Sequence, residues 1–129
     1  MIHGVGTDVV QVSRMEAAWQ RHGERFARRT LMPEELAWFG RSRNPVRFLA
    51  MHFAAKEAIV KALGTGFRFG MWVRDTGFVP DQRGKPCVIF SKRGDAVCRK
   101  FGVGAAHVSL TDEAGIVVAM AVAEKAEGP

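Results

Sequence analysis

The sequence lacks the features that mark disulfide-rich, zinc-binding and membrane-spanning proteins. It contains two cysteines, Cys87 and Cys98, whose spacing is not that of a metal site, so we expect reduced, partly buried thiols. No apolar run approaches the length that crosses a bilayer, and the N-terminus lacks a basic region followed by an apolar, signal-like segment. The default expectation is therefore a cytoplasmic protein that does not bind to a membrane.

Internal repeats and low-complexity tracts are also absent, which excludes solenoids and other repeat architectures. The composition is that of an ordinary globular chain, with 47% hydrophobic and 25% charged residues. A chain of 129 residues is long enough to bury roughly two-thirds of its unfolded surface. We expect a single domain over residues 1–129.

Positive charge exceeds negative charge and gives a formal net charge of +6 at pH 7. This excess indicates an anionic partner or substrate, and a nucleic acid, an acidic protein and a phosphorylated small molecule all satisfy it. Arginines are dense over residues 14–29, where a solvated helix face is the ordinary explanation. Because few acids offset them, we favour an anion-binding surface formed by Arg14, Arg21, Arg25, Arg28 and Arg29.

A long helix is predicted over Pro45–Leu63. Asn44 is a favoured N-cap residue, and Pro45 at the first helical position loses no hydrogen bond that the helix needs. Gly64 can adopt the left-handed conformation that ends a helix. Apolar side chains cover most of its circumference when residues are placed 100° apart, so we expect this helix to be largely buried.

One narrow sector of this helix differs from the rest, because it holds Ala50, Ala54, Glu57 and Lys61. Small side chains there predict a groove beside a carboxylate and an ammonium one turn apart. The alternative is an ordinary surface pair of Glu57 with Lys61, worth about 0.2–0.5 kcal/mol. A helix wrapped in apolar side chains favours a functional site instead, since charged groups are rarely buried without a task.

Two further features accompany the helix. Gly64-Thr65-Gly66 offers flexible backbone N–H groups that could approach a phosphate. His52 and Lys56 lie away from the narrow sector, among large apolar neighbours.

The other elements predict an α+β fold. Ile2–Val12 is apolar and β-branched, which indicates a strand, and Asp8 within it is either a turn-capping residue or a buried ligand for a cation. Helices are predicted after Ser13 and from Pro33, then strands over 71–79 and 86–90, a helix after Ser91, and a hairpin of 106–110 with 116–123. The order β-α-α-α-β-β-α-β-β predicts a mostly antiparallel sheet packed on the long central helix.

Three segments together resemble the holo-acyl-carrier-protein synthases, the short 4′-phosphopantetheinyl transferases of bacteria. Gly4-Val5-Gly6-Thr7-Asp8, with Arg14 following, is similar to their first motif. Phe53-Ala54-Ala55-Lys56-Glu57-Ala58, followed by Lys61 and Gly64-Thr65-Gly66, is similar to their central signature. Weaker motifs match at Gly84-Lys85-Pro86 and at His107-Val108-Ser109-Leu110, so the resemblance extends over essentially the whole chain.

The resemblance implies transfer of the phosphopantetheine arm of coenzyme A to a serine of apo acyl carrier protein, with release of adenosine 3′,5′-bisphosphate. It implies that Asp8 and Glu57 hold Mg²⁺ and that Glu57 and Lys61 are catalytic, Lys61 stabilising phosphate. The base that deprotonates the serine is either Glu57 or a metal-bound water. Residues implied to contact coenzyme A are Lys56, Lys61, Gly64, Thr65, Gly66, Lys85, Pro86, His107 and Ser109.

The family also implies an acidic carrier protein as partner, docked on Arg14, Arg21 and Arg25, and a homotrimer with active sites between subunits. His52 is a departure, because the family often has Arg or Lys at this position. His107 has a plain alternative as a hydrogen-bonded strand histidine. Two other functions compete with the enzyme: a nucleic-acid-binding module, which lacks an aromatic stacking platform beside its arginines, and an inactive trimeric scaffold. We expect no nucleic acid partner.

Overall fold

The long helix predicted over Pro45–Leu63 is present with the same bounds and forms the centre of the molecule. The Asn44 side chain accepts a hydrogen bond from the Arg47 N–H at its start, and Gly64, with φ of 82°, ends it in the left-handed conformation. The computed structural model describes residues Met1–Gly128, so Pro129 of the predicted domain lies outside the described residues. The elements are β1 (Ile2–Gln11), α1 (Val12–His22), α2 (Glu24–Thr30), α3 (Pro33–Phe39), α4 (Pro45–Leu63), a 3-10 turn (Val73–Asp75), β2 (Thr76–Pro80), β3 (Pro86–Phe90), α5 (Lys92–Lys100), β4 (Val103–Glu113) and β5 (Ile116–Lys125).

Two antiparallel sheets pack around α4, which confirms the predicted α+β class. One sheet has three strands in the order β1-β5-β4, and the other pairs β2 with β3. The inward residues of β5 are small and almost completely buried, which lets the sheet lie close to the helix; they are Val117, Ala119, Ala121 and Ala123. Between Met1 and Gly128, no helix has the length and apolar character needed to cross a membrane.

β1 approaches α4 so closely that its glycines cannot carry side chains. A Cβ atom on Gly6 would overlap the carbonyl oxygen of Ala58, and one on Gly4 would overlap the carbonyl oxygen of Ala62. The Gly-x-Gly pattern before Asp8 is therefore a packing requirement. The close approach places Asp8 of the strand beside the helix.

The element order differs from the predicted one in detail. The structure has a helix, α2, that the sequence analysis did not predict, so four helices precede the second strand instead of three. The strand predicted over 71–79 begins only at Thr76, because a 3-10 turn occupies Val73–Asp75. The last hairpin is longer than predicted and turns tightly at Ala114 and Gly115, with φ of 53° and 78°.

Candidate active site

Asp8 of β1 and Glu57 of α4 line one open groove of about 460 Å³. Its other walls come from β1, from α1 and α2, and from Phe53 on α4. Lys61, one turn after Glu57, extends towards β1, where its Nζ donates to the Thr7 carbonyl oxygen at 2.9 Å and lies 3.3 Å from Asp8 Oδ1. The structure therefore brings together the three residues predicted as the metal and catalytic group.

The electrostatics of Glu57 reflect this arrangement. Burial raises the pKa of Glu57, the negative charge of Asp8 raises it further, and Lys61 opposes both. Two carboxylates held close enough to repel one another are stabilised by a cation between them. Oxygen ligands of this kind suit Mg²⁺, which keeps several waters and takes few protein ligands. Over residues 1–128, no further His, Cys, Asp or Glu joins them to make a cluster of three.

The predicted source of the groove was wrong. Ala50 and Ala54 were expected to leave open space beside Glu57, yet both are 0% exposed and belong to the hydrophobic core. The open space lies beside Glu57 and Phe53, and its other walls are residues of β1, α1 and α2. The helical wheel gave the angular positions of the alanines but not the face that the sheet covers.

The predicted carrier-binding arginines lie beside this groove. Arg14 is part of its wall, and Arg21 and Arg25 line a second groove, about 430 Å³, between α1 and α2. The two grooves share Ala18 and Phe26 as lining residues, so they are adjacent. All three arginines are exposed, which makes an open basic surface that leads to the carboxylates.

The turn Gly64-Thr65-Gly66 does not offer free amides. The N–H groups of all three residues donate to the carbonyl oxygen of Val60, and that of Gly64 also to Lys61. The Thr65 hydroxyl donates to the Gly66 carbonyl oxygen, and Thr65 is 4% exposed. These amides complete the end of α4, so the contact of Gly64, Thr65 and Gly66 with coenzyme A stays a prediction.

Lys56 cannot contact a ligand where the structure places it. Its side chain is 0% exposed, and Nζ donates to Glu35 Oε1 at 2.6 Å and to the Thr76 carbonyl oxygen. Burial lowers the pKa of Lys56, although Glu35 acts in the opposite direction. The prediction that Lys56 binds coenzyme A is corrected: it is an internal ion-pair partner that joins α4 to α3 and β2.

Glu35 is the residue of this region that the sequence analysis missed. Besides Lys56, its carboxylate accepts hydrogen bonds from the N–H groups of Met32 and Phe78, and its Oε2 lies 2.6 Å from His52 Nδ1. Burial favours the neutral acid, but the hydrogen bond with His52 and the charge of Lys56 together hold the pKa of Glu35 below its ordinary value. The available signal was Lys56 itself, since a lysine on a buried helix face requires an anionic partner.

His52 completes this cluster through its contact with Glu35. Its ring is stacked between Phe48 and Phe78, with ring centroids 4.0 and 3.9 Å away. Burial lowers the pKa of His52 more than the hydrogen bond and charge of Glu35 raise it. The predicted position among apolar neighbours is confirmed for His52.

The remaining predicted coenzyme residues lie apart from Asp8 and Glu57. Lys85, Pro86 and Ser109 line a pocket of about 410 Å³ that shares no lining residue with the carboxylate groove. His107 lines neither the pocket nor the groove. Its Nε2 lies 2.6 Å from Oε2 of Glu124, which is on the neighbouring strand β5. Within one chain, Lys85, Pro86 and Ser109 therefore form a group separate from Asp8 and Glu57, and His107 belongs to neither.

Comparison with known proteins identifies the family. The family model described as the 4′-phosphopantetheinyl transferase superfamily matches residues 4–121. The holo-[acyl-carrier-protein] synthase of Aromatoleum aromaticum is 46% identical over 125 residues, which cover 97% of this chain and 99% of that protein.

Solved structures agree with this assignment. The crystal structure of holo-[acyl-carrier-protein] synthase from Neisseria meningitidis has a TM-score of 0.92 at 40% identity and covers 97% of this chain and 100% of that chain. That of a Bacillus anthracis holo-(acyl-carrier-protein) synthase in complex with CoA (3′,5′-ADP) has a TM-score of 0.79 at 30% identity, covering 98% and 99%. The chain therefore belongs to the holo-[acyl-carrier-protein] synthases of the 4′-phosphopantetheinyl transferase superfamily.

Proposed function

We propose that this enzyme transfers 4′-phosphopantetheine from coenzyme A to a serine of an apo acyl carrier protein. In this step the serine oxygen forms a bond to phosphorus, the bond from that phosphorus to adenosine 3′,5′-bisphosphate breaks, and the serine proton passes to a base. The observation that carries the proposal is that Asp8 and Glu57 line one groove beside a basic surface, with the Lys61 ammonium 3.3 Å from Asp8 Oδ1. Phosphoryl transfer depends mainly on such positioning and charge neutralisation.

Asp8 and Glu57 are the proposed ligands of Mg²⁺. A bound Mg²⁺ would neutralise the diphosphate of coenzyme A and orient it for attack. The donor set fits this ion, because two carboxylates face one groove with space for waters and phosphate oxygens. Lys61 is 51% exposed and its Nζ lies 3.3 Å from Asp8 Oδ1, so we assign it to the transferring phosphoryl oxygens, and Glu57 to the serine proton.

The acidic carrier protein is proposed to dock on Arg14, Arg21 and Arg25. Because the arginine groove and the carboxylate groove adjoin at Ala18 and Phe26, a carrier bound there would hold its serine close to Glu57. An exposed basic face of this kind steers an acidic partner and fixes its orientation.

We further propose a homotrimer in which a second subunit completes the coenzyme site. The outward face of the three-stranded sheet is apolar and exposed, with Val9 62%, Val5 60% and Met120 50% accessible. A second copy packed on this face would cover it. Ser109 and His107 lie on β4 of the same sheet, so the pocket that Ser109 lines with Lys85 and Pro86 would then approach the carboxylate groove of a neighbour.

The intact mass of an apo carrier protein after incubation with coenzyme A and Mg²⁺ tests the activity. We expect the mass of one phosphopantetheine to be added by the wild type, and almost none by Asp8→Ala or Glu57→Ala. Asp95→Ala is the matched control, because Asp95 is an exposed acid on α5 away from the groove. Normal turnover by either groove variant would refute its assignment as a ligand.

Sedimentation tests the assembly separately. Met120→Glu places a charge on the proposed subunit contact, and we expect it to yield monomers that fold but lose transfer activity. A wild type that sediments as a fully active monomer would refute the trimer and leave the metal assignment untouched.

A further inference from the structure

Lys61 has a different partner from the one that its sequence spacing suggests. In the part of the chain that the structure describes, no hydrogen bond or ion pair joins it to Glu57, four residues earlier. Its ammonium instead crosses to β1, where it contacts the Thr7 carbonyl oxygen and one carboxylate oxygen of Asp8. The side chain of Asp8 is 17% exposed and that of Lys61 is 51% exposed.

This contact places a protein cation at a proposed metal ligand. Asp8 and Glu57 carry two negative charges when both are ionised, and Lys61 supplies one positive charge. Mg²⁺ held by Asp8 and the ammonium of Lys61, which lies 3.3 Å from Asp8 Oδ1, would be two like charges at one carboxylate and would repel one another.

We propose that Lys61 is a counter-ion that neutralises Asp8 in the ligand-free enzyme. When an anionic phosphate binds, the ammonium leaves Asp8 and contacts the phosphate. This inference rests on the proposed metal role of Asp8 and Glu57. It gives Lys61 a second role beside its contact with the phosphoryl oxygens, because the pair with Asp8 sets the order of assembly: the metal site reaches full affinity only when coenzyme A is present. Metal and coenzyme A consequently bind with positive cooperativity, and each strengthens the other by the same factor.

The exposure of Lys61 supports this exchange. Half of its side chain is exposed, and exposed ion pairs are weak because water screens them. Its flexible four-carbon stem allows the ammonium to change partners without moving α4. A diphosphate in the groove would offer it more negative charge than Asp8 alone.

Measuring Mn²⁺ binding tests the proposal without turnover. The amount of free Mn²⁺ is read from its electron paramagnetic resonance signal. Mn²⁺ is titrated into the wild type and into Lys61→Met, each with and without coenzyme A and without carrier protein. We expect Lys61→Met to bind Mn²⁺ at least about fivefold more tightly than the wild type when coenzyme A is absent. Coenzyme A should then strengthen Mn²⁺ binding to the wild type by a larger factor than binding to the variant.

Lys100→Met is the matched control, because Lys100 is an exposed lysine on α5 outside the groove, and we expect it to bind Mn²⁺ as the wild type does. Equal or weaker binding of Mn²⁺ by Lys61→Met without coenzyme A overturns the inference. Carrier modification measured on the same wild-type sample separates the two claims. If the carrier is modified and the Lys61→Met affinity does not rise, only the counter-ion role fails; if no carrier is modified, the proposed function itself fails.

Discussion

Replacing Glu35 with alanine removes the carboxylate that pairs with Lys56 inside the protein. Lys56 would keep an ammonium that is 0% exposed, with one backbone carbonyl oxygen as its remaining hydrogen-bond acceptor. The N–H groups of Met32 and Phe78 would lose their acceptor in the same change. Because α3, α4 and β2 all meet at this carboxylate, we expect a large loss of stability.

The size of the loss follows from the burial. Removing one partner of a buried ion pair costs about 3–5 kcal/mol, a large part of the roughly 5–15 kcal/mol that stabilises a typical domain. An unfolding entropy of about 2.1 cal/mol/K per residue gives about 0.27 kcal/mol/K for 129 residues. The expected decrease in the melting temperature is therefore about 11–18 °C.

Chemical and thermal unfolding, at one fixed protein concentration, measure this change. Glu34→Ala is the matched control, because Glu34 is the exposed neighbour in the first turn of α3, and it should stay within about 0.5 kcal/mol of the wild type. The double variant Glu35→Leu with Lys56→Met removes both charges and should be more stable than Glu35→Ala. A Glu35→Ala loss below about 1 kcal/mol would refute the ion-pair argument.

Three further predictions concern other parts of the chain. Arg14→Glu combined with Arg21→Glu should raise the KM for the carrier roughly tenfold at low salt and leave the KM for coenzyme A little changed. A raised KM for coenzyme A with an unchanged KM for the carrier would assign these arginines to the nucleotide. Gly6→Ala should cost at least about 1–3 kcal/mol of unfolding free energy by overpacking against Ala58, and unchanged denaturation would contradict the close approach. Burial lowers the pKa of His52 below 6.5 in the folded state, so the unfolded state binds more protons as the pH drops below that value and stability should fall. His52→Gln should show a shallower fall, and parallel pH profiles of the two proteins would show that His52 does not titrate this way.

The sequence alone predicted the features that depend on neighbouring residues. The cap at Asn44, the proline after it and the glycine at 64 set the bounds of α4, and they do so through local backbone geometry. The motif around Asp8 and the signature around Glu57 also identified the family before any coordinates. Local patterns could not predict α2, because a short helix over Glu24–Thr30 has little periodicity to show.

Only the tertiary structure decided which sector of α4 faces the sheet and which charges pair. Lys56 and Glu35 are 21 residues apart, and Lys61 and Asp8 are 53 apart, so no spacing rule connects them. A helical wheel fixes the angles between side chains but not the rotation of the helix against its neighbours. That rotation is set by the glycine contact of β1 and the small inward residues of β5, which bury Ala50 and Ala54 and leave Glu57 and Lys61 beside Asp8.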